Sequence, residues 1–269
     1  QFVILDLNQW HEIGEPDFGT PENIVEAGVQ ALREGHSHYA PALGLPAFRE
    51  EIAAYVQQHK GVAAKAANVV VTPGAKPILY YTFMTFVQPG DEVIIPDPGF
   101  PIYQVLTKYL GGVVVPMQAK EENNFRITLE DLIPLVTEKT KLLILSTPNN
   151  PTGSIIEKEE VVKIGEFLRD KDIIVLSDEI YDRLYYGEGK VVSLASIPHM
   201  QDKTIILDGF SKTYAMTGWR LGYGVMHEDI AKVFNPLIVS SNSCTNTFIQ
   251  YAGIEAYRGP QDQVGVMKE

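Results

Sequence analysis

Seven short runs rich in valine, isoleucine and leucine recur along the chain, and amphipathic segments lie between them. The runs show little internal alternation, as expected for strands covered on both faces of a sheet. Strands that alternate with helices in this way predict an α/β fold with a mostly parallel seven-stranded sheet and helices on both faces. The predicted strands are Val69–Thr72, Glu92–Ile95, Val113–Pro116, Lys141–Ser146, Ile173–Ser177, Thr204–Asp208 and Leu221–Met226.

The segments between and around these runs carry the helical pattern. One of them ends at Gly61, a residue type common just after a helix. The predicted helices are Pro21–Glu34, Pro46–Lys60, Lys76–Val87, Ile102–Leu110, Leu129–Val136, Glu157–Arg169, Lys212–Thr217, Glu228–Val239 and Thr247–Tyr257.

Composition narrows the classes of function. Acidic residues outnumber basic ones by 34 to 22, so we expect no nucleic-acid partner. Apolar runs of a few residues predict no membrane span, and no basic segment that would mark a signal peptide precedes Phe2–Leu5. The one cysteine, Cys244, excludes an internal disulfide and favours a reducing, cytoplasmic location. His36 and His38 fit a solvated loop better than a metal pair, so no metal site is expected.

Four loops that follow or precede predicted strands contain the candidate chemistry. The glycine turn at Val71–Lys76 could hold a phosphate at a helix N-terminus, or be an ordinary turn. Ser146–Gly153 offers an amide between two prolines, and Ser177–Tyr181 ends a strand with two carboxylates. Asp208–Gly222 places a lysine and an arginine in an aromatic, glycine-rich stretch. Considered singly, each of these loops could also have a purely structural role, such as an ordinary turn or a solvated loop.

Together the loops resemble the class I pyridoxal-phosphate-dependent aminotransferases of fold type I. They are most similar to the prokaryotic-type aspartate, aromatic and alanine aminotransferases. The resemblance runs from about Gly14 to the end of the chain, with the motifs in the order found in the family. The matching motifs are Gly14–Phe18, Tyr39–Gly44, Asn150–Gly153, Asp178–Tyr181, Ser211–Lys212 and Met216–Arg220.

The resemblance implies a role for each polar residue of the later motifs. Lys212 would form a Schiff base with pyridoxal phosphate and later move a proton from the substrate Cα. Asp178 would pair with the pyridine nitrogen, so that the ring accepts electrons. Tyr181 and Asn150 would donate to the phenolic oxygen of the ring, and Asn150 would lie near the substrate carboxylate. Arg220 would clamp the phosphate with its planar fork.

Further roles follow from the same resemblance. The backbone amides of Ala75 and Lys76 would contact the phosphate, and Phe100 would stack on the ring. Gly14 would approach the substrate carboxylate. Tyr39 would reach the phosphate of the neighbouring subunit, so a homodimer is expected.

Three features depart from the family pattern. Gly209 stands where several relatives have a phosphate-binding serine, and residues 8–13 are unusual. The C-terminal small domain of the family, which carries an arginine for the substrate α-carboxylate, is apparently absent. The expected division is an N-terminal arm and first helix at 1–40, a large cofactor-binding domain at 41–257, and the start of a connection to the small domain at 258–269.

The function implied is amino-group transfer between an L-amino acid and a 2-oxo acid by a ping-pong mechanism. Two alternatives stay open. The same scaffold supports pyridoxal-phosphate-dependent lyases that cleave C–S bonds or eliminate a leaving group. The chain could also be a truncated cofactor-binding fragment without turnover.

Overall fold

The structure is a computed structural model that describes residues 14–188 and 190–268. Within that part of the chain, seven strands form one sheet in the order β1-β7-β6-β5-β4-β2-β3. The strands are β1 (Val69–Thr72), β2 (Glu92–Asp97), β3 (Val113–Gln118), β4 (Thr140–Ser146), β5 (Ile174–Asp178), β6 (Thr204–Gly209) and β7 (Gly222–Val225). Strand β7 is antiparallel to β1 and β6, and the other four pairings are parallel. The predicted mostly parallel, seven-stranded sheet is confirmed.

Helices flank the sheet. The α-helices are α1 (Glu22–Arg33), α2 (Pro46–Lys60), α3 (Lys76–Phe86), α4 (Ile102–Tyr109), α5 (Leu129–Leu132), α6 (Lys158–Leu168), α7 (Glu228–Ser241), α8 (Thr247–Arg258) and α9 (Asp262–Val266). Short 3-10 turns cover Ala66–Asn68, Glu121–Asn123, Ile133–Leu135, Asp182–Leu184, Leu194–Ser196 and Pro198–Lys203. None of these helices has the length and apolar character needed to cross a bilayer.

Successive residues of the buried strands point to opposite faces of the sheet. Val69 and Val71 pack under α1, α2 and α8, whereas Val70 packs under α3, α4 and α7. In β4, Leu142 joins the layer of α3, α4 and α7, and Leu143 joins a third cluster under α5 and α6. Both faces are therefore covered, which explains why the strand sequences are apolar without alternation.

The strand directions bring the predicted site loops to one edge of the sheet. The carboxyl ends of the parallel strands β2, β4, β5 and β6 share that edge. Strand β1 runs in the same direction, because the antiparallel β7 lies between it and β6. The amino end of β7 therefore also lies at this edge. In open α/β sheets this edge is the usual place for ligands.

Two helix predictions differ from the structure. The segment Lys212–Thr217 is not a helix but a series of turns, in which Ala215 has a φ of 50° and Thr20 Oγ1 donates to the Ala215 carbonyl. The predicted helix Leu129–Val136 divides into α5 and a 3-10 turn, since Pro134 has no N–H to donate. The domain division stays a prediction, and its residues 1–13, including the unusual 8–13, lie outside the described residues.

Candidate active site

A cavity of about 480 Å³ opens at the shared edge of the sheet. Four of the predicted site residues, Gly14, Asn150, Tyr181 and Lys212, line it together although they are far apart in sequence. The other lining residues are Glu15, Pro16, Asp17, Phe18, Pro148, Asn149, Pro151, Gly153, Leu184, Tyr185, Tyr186, Gly187 and Met267. The cavity thus combines a lysine amine, amide groups and several aromatic rings.

Lys212 lies at the centre of this arrangement. Its Nζ donates to the carbonyl oxygen of Gly14 and lies 5.7 Å from the ring centroid of Tyr181. Burial lowers the pKa of Lys212; Glu15 opposes this change, and two nearby cations, Arg220 and Lys76, add to it. A lowered pKa favours the neutral amine, which is the nucleophilic and proton-accepting form.

The Arg220 side chain lies against the glycine turn that follows β1. A Cβ on Gly74 would overlap the guanidinium of Arg220, and Gly74 itself has a φ of 80°, which favours glycine. Arg220 Nη1 donates to the Thr217 carbonyl at 2.8 Å. The close approach of the guanidinium to this turn therefore depends on the absence of a side chain at position 74.

The start of α3 completes a group of positive charges. Ala75 precedes the helix and Lys76 is its first residue, where backbone N–H groups have no partner within the helix. Within residues 14–188 and 190–268, Lys76, Lys212 and Arg220 form no ion pair. Three cations beside a helix N-terminus are a donor set that suits a phosphate dianion.

Asp178, the last residue of β5, is buried and is not among the residues that line the cavity. Its Oδ2 accepts a hydrogen bond of 2.6 Å from the Tyr103 hydroxyl, and its Oδ1 accepts one of 3.3 Å from the Ile180 N–H. Burial raises the pKa of Asp178 to about 6, although the hydrogen bond from Tyr103 acts in the opposite direction. A cationic partner would lower this pKa and so favour the ionised carboxylate over a wider pH range.

Asn149 holds the loop that presents Asn150. Its Nδ2 donates to the Pro98 carbonyl at 3.1 Å and to Thr152 Oγ1 at 2.9 Å, and its carbonyl accepts from the Gly153 N–H at 2.7 Å. These contacts hold the backbone on both sides of Asn150, a residue that lines the cavity.

Phe100 and Tyr39 do not line the main cavity. Phe100 borders a neighbouring groove of about 350 Å³ and packs edge-on against Tyr103, with ring centroids 5.9 Å apart. Lys76 Nζ lies 5.6 Å from the Phe100 ring centroid, which links this ring to the positive group. Tyr39 lies on the surface with 86% of its area exposed.

Sequence reasoning missed several residues of the site. Tyr103 reaches Asp178 from α4, and Tyr185, Tyr186 and Met267 contribute apolar surface to the cavity. Tyr185 and Tyr186 come shortly after the motif Asp178–Tyr181, so their place in the sequence could have marked them as candidates. Tyr103 carries no such signal, because its contact with Asp178 joins residues 75 positions apart.

Comparison with known proteins agrees with this arrangement. A sequence model described as aminotransferase class I and II matches residues 11–269. The chain is 42% identical over 257 residues to an aspartate aminotransferase of Geobacillus stearothermophilus, covering 95% of this chain and 65% of that protein. It is 43% identical over 251 residues to a probable aspartate/prephenate aminotransferase of Aquifex aeolicus, covering 93% and 64%. The chain thus spans slightly less than two thirds of the length of these relatives.

A solved structure shows the same fold. The aromatic aminotransferase of Pyrococcus horikoshii superposes with a TM-score of 0.92 at 37% identity, covering 95% of this chain and 69% of that one. The α/β sheet described above is that of fold type I. The resemblance inferred from the motifs is confirmed, and the chain belongs to the class I and II aminotransferases, a pyridoxal-phosphate-dependent family.

Proposed function

We propose that this protein binds pyridoxal phosphate at Lys212 and transfers an amino group between an L-amino acid and a 2-oxo acid. The observation that carries the proposal is the position of Lys212. Its amine has a lowered pKa and lies near two further cations, and Lys212 lines the cavity of about 480 Å³. A neutral amine beside a phosphate-binding group is what covalent attachment of this cofactor requires.

The residues present fit the cofactor. Arg220, with the backbone N–H groups of Ala75 and Lys76, would hold the phosphate, because a fork of donors and a helix N-terminus both suit a dianion. Asp178 would accept a hydrogen bond from the protonated ring nitrogen, and this cationic partner would lower the raised pKa of Asp178. When bound, pyridoxal phosphate supplies a ring that accepts the electron pair left when the substrate Cα loses its proton.

Lys212 would also act on the substrate. Once it is displaced by an amino acid, its Nζ would take the proton from Cα and pass it to the cofactor, and its lowered pKa favours the neutral amine that can accept this proton. Tyr181 and Asn150 would donate hydrogen bonds to the phenolic oxygen of the ring. Asn150 and the backbone of Gly14 would orient the substrate carboxylate, and Phe100 would stack on the ring.

A homodimer is part of the proposal. Tyr39 would bind the phosphate in the neighbouring subunit, and the exposure of its ring agrees with a role outside its own cavity. A second subunit would therefore be needed for a complete phosphate site.

The test is to add pyridoxal phosphate to the purified protein, then a panel of L-amino acids, while recording the visible spectrum and analysing products. We expect conversion to the pyridoxamine form with release of the 2-oxo acid. Parallel double-reciprocal plots in the full reaction would support ping-pong order.

The alternatives give different results. Release of ammonia or a thiol together with a 2-oxo acid would indicate a lyase. A spectrum of lysine-bound cofactor that no amino acid changes would indicate a fragment that binds cofactor without turnover. Either result would refute amino-group transfer.

A further inference from the structure

A buried lysine that does not line the cavity joins the segment after β5 to the end of β6, and both of these lead into the proposed cofactor site. Lys60, the last residue of α2, has only 4% of its side chain exposed. Its Nζ lies 2.9 Å from Glu179 Oε2, 3.0 Å from Asp208 Oδ2, and also against Asp182 Oδ2. The three N–H donors of one ammonium thus meet three carboxylates.

The ammonium stays charged despite its burial. Desolvation by burial lowers the pKa of Lys60, but Asp182, Asp208 and Glu179 together outweigh it and hold that pKa well above its usual range. Such ion pairs are costly to break inside a protein, where the dielectric constant is low. A charge that loses its partner there is not solvated by water.

Two of the carboxylates are held from other sides as well. Glu179 Oε1 accepts from the hydroxyls of Ser177 and Ser193 at 2.7 and 2.6 Å. Asp208 accepts from the Gly209 N–H at 2.7 Å and from the Tyr223 hydroxyl at 3.0 Å. By contrast, Asp182 Oδ1 is buried with no hydrogen-bond partner among the described residues. Glu179 and Asp208 therefore have partners besides Lys60, whereas the side chain of Asp182 contacts Lys60 Nζ through Oδ2 only.

Two of these carboxylates are close in sequence to the residues proposed to bind the cofactor. Glu179 directly follows Asp178 and lies two residues before Tyr181, whereas Asp208 lies four residues before Lys212. Register pairing between β5 and β6 ends at Asp178 and Leu207, followed by one hydrogen bond from the Glu179 N–H to the Leu207 carbonyl. Beyond that point β5 and β6 are not paired, and Lys60 links Glu179, which follows β5, to Asp208 near the end of β6.

We propose that Lys60 is a positioning residue: by bridging Glu179 and Asp208 it sets the position of the loop bearing Asp178 and Tyr181 relative to the loop bearing Lys212. This inference rests on the proposed function of those residues. Lys60 itself does not line the cavity, so it acts through the loops and not on substrate.

The excess of carboxylates allows a charge-matched test. Replacing Lys60→Met together with Asp182→Asn removes one positive and one negative charge, so the net charge of the cluster is kept while the bridge is lost. Asp182→Asn alone is the matched control, because Lys60 can still bridge Glu179 and Asp208. Asp172→Asn, at an exposed pair with Lys141, controls for removal of a charge elsewhere.

The first measurement is kcat per bound cofactor in the intact, cofactor-loaded protein. We expect the double variant to lose about ten- to hundredfold in kcat, as misplaced catalytic groups do, with the KM of the amino donor within about twofold. Both control variants should keep the wild-type kcat. An unchanged kcat per cofactor in the double variant would show that Lys60 serves stability alone and would overturn the proposal.

The second measurement needs neither cofactor nor turnover. Amide hydrogen exchange at residues 179–182 and 209–212 of the cofactor-free protein should be faster in the double variant than in Asp182→Asn, with the α6 amides unchanged. Equal exchange in the two variants would also overturn the proposal. Because this readout does not depend on transamination, it separates failure of the positioning role from failure of the proposed function. Where the double variant does not fold, Lys60→Gln with Asp208→Asn replaces it in both measurements, and Asp208→Asn replaces Asp182→Asn as the matched control.

Discussion

The hydrogen bond from Tyr103 to Asp178 should control the pH range in which the cofactor binds. Tyr103 is fully buried and its hydroxyl donates to Asp178 Oδ2 at 2.6 Å. Tyr103→Phe removes this donor with almost no change in volume. Since the hydrogen bond stabilises the ionised carboxylate, its loss should raise the pKa of Asp178 further above its present value of about 6.

The size of the effect follows from the charge on the acceptor. A hydrogen bond to a charged group contributes about 1.5–3 kcal/mol, which corresponds to roughly one to two pH units. With a pKa of about 6, some nine tenths of Asp178 is ionised at pH 7. In Tyr103→Phe the ionised fraction at pH 7 should fall to between about one half and one tenth. If the ring nitrogen of the cofactor binds only to the ionised form of Asp178, the affinity for pyridoxal phosphate at pH 7 should fall roughly two- to tenfold.

The assay is equilibrium titration with pyridoxal phosphate between pH 5 and 8, followed in the visible spectrum. In the wild type the affinity should fall as the pH drops through about 6, and in Tyr103→Phe the fall should begin about one to two units higher. Tyr81→Phe is the control, because it removes another tyrosine hydroxyl that bonds Ser241 at 2.6 Å, away from the cavity. Superimposable pH profiles for wild type and Tyr103→Phe would refute the link between Asp178 ionisation and cofactor binding.

Three further substitutions test the proposed site. Lys212→Ala should abolish the absorption band of covalently bound cofactor with little change in melting temperature, and a persisting band would contradict attachment at Lys212. Asp178→Ala should slow Cα proton abstraction on the order of a hundredfold or more in rapid-mixing half-reactions, and wild-type rates would rule out its role. Gly222→Ala should weaken cofactor binding, because its Cβ would collide with the backbone of Gly74 and Ala75; Gly218→Ala, with open space around it, should bind normally, and equal affinities would count against the turn as a phosphate site.

The architecture could be predicted because it depends on local signals. Buried strands of an α/β sheet are apolar on both faces, so all seven were visible as runs such as Leu142–Leu145. The helix predicted at Lys212–Thr217 was wrong because tertiary contacts outweighed the helix propensity of the segment. That segment contains Ala215 in a left-handed conformation, and Thr20 bonds its carbonyl from a distant part of the chain. Nothing in the segment itself indicates this contact.

The candidate site was likewise predicted only in part. The loops that carry Asn150, Tyr181 and Lys212 were candidates because each follows a strand, and the ends of parallel strands meet at one edge of a sheet. The choice of these three residues within the loops came from the resemblance of the motifs to the aminotransferases. The role of Tyr39 was inferred from the same resemblance; Tyr39 is exposed, and its contact with a neighbouring subunit stays a prediction.

The residues that sequence reasoning missed arrive from helices. Tyr103 lies on α4 and Lys60 at the end of α2, and each meets a strand-end carboxylate through its own side chain. Which helix residue faces such a carboxylate depends on how the helix packs on the sheet, and a one-residue rotation of about 100° would direct it elsewhere. Strand direction therefore predicts which loops form the site. The ionisation of Asp178 and the distance between the loops depend instead on contacts with residues of the helices. For this reason the Tyr103 and Lys60 substitutions test what the motifs cannot: whether residues outside every recognised motif tune Asp178 and hold Lys212 in place.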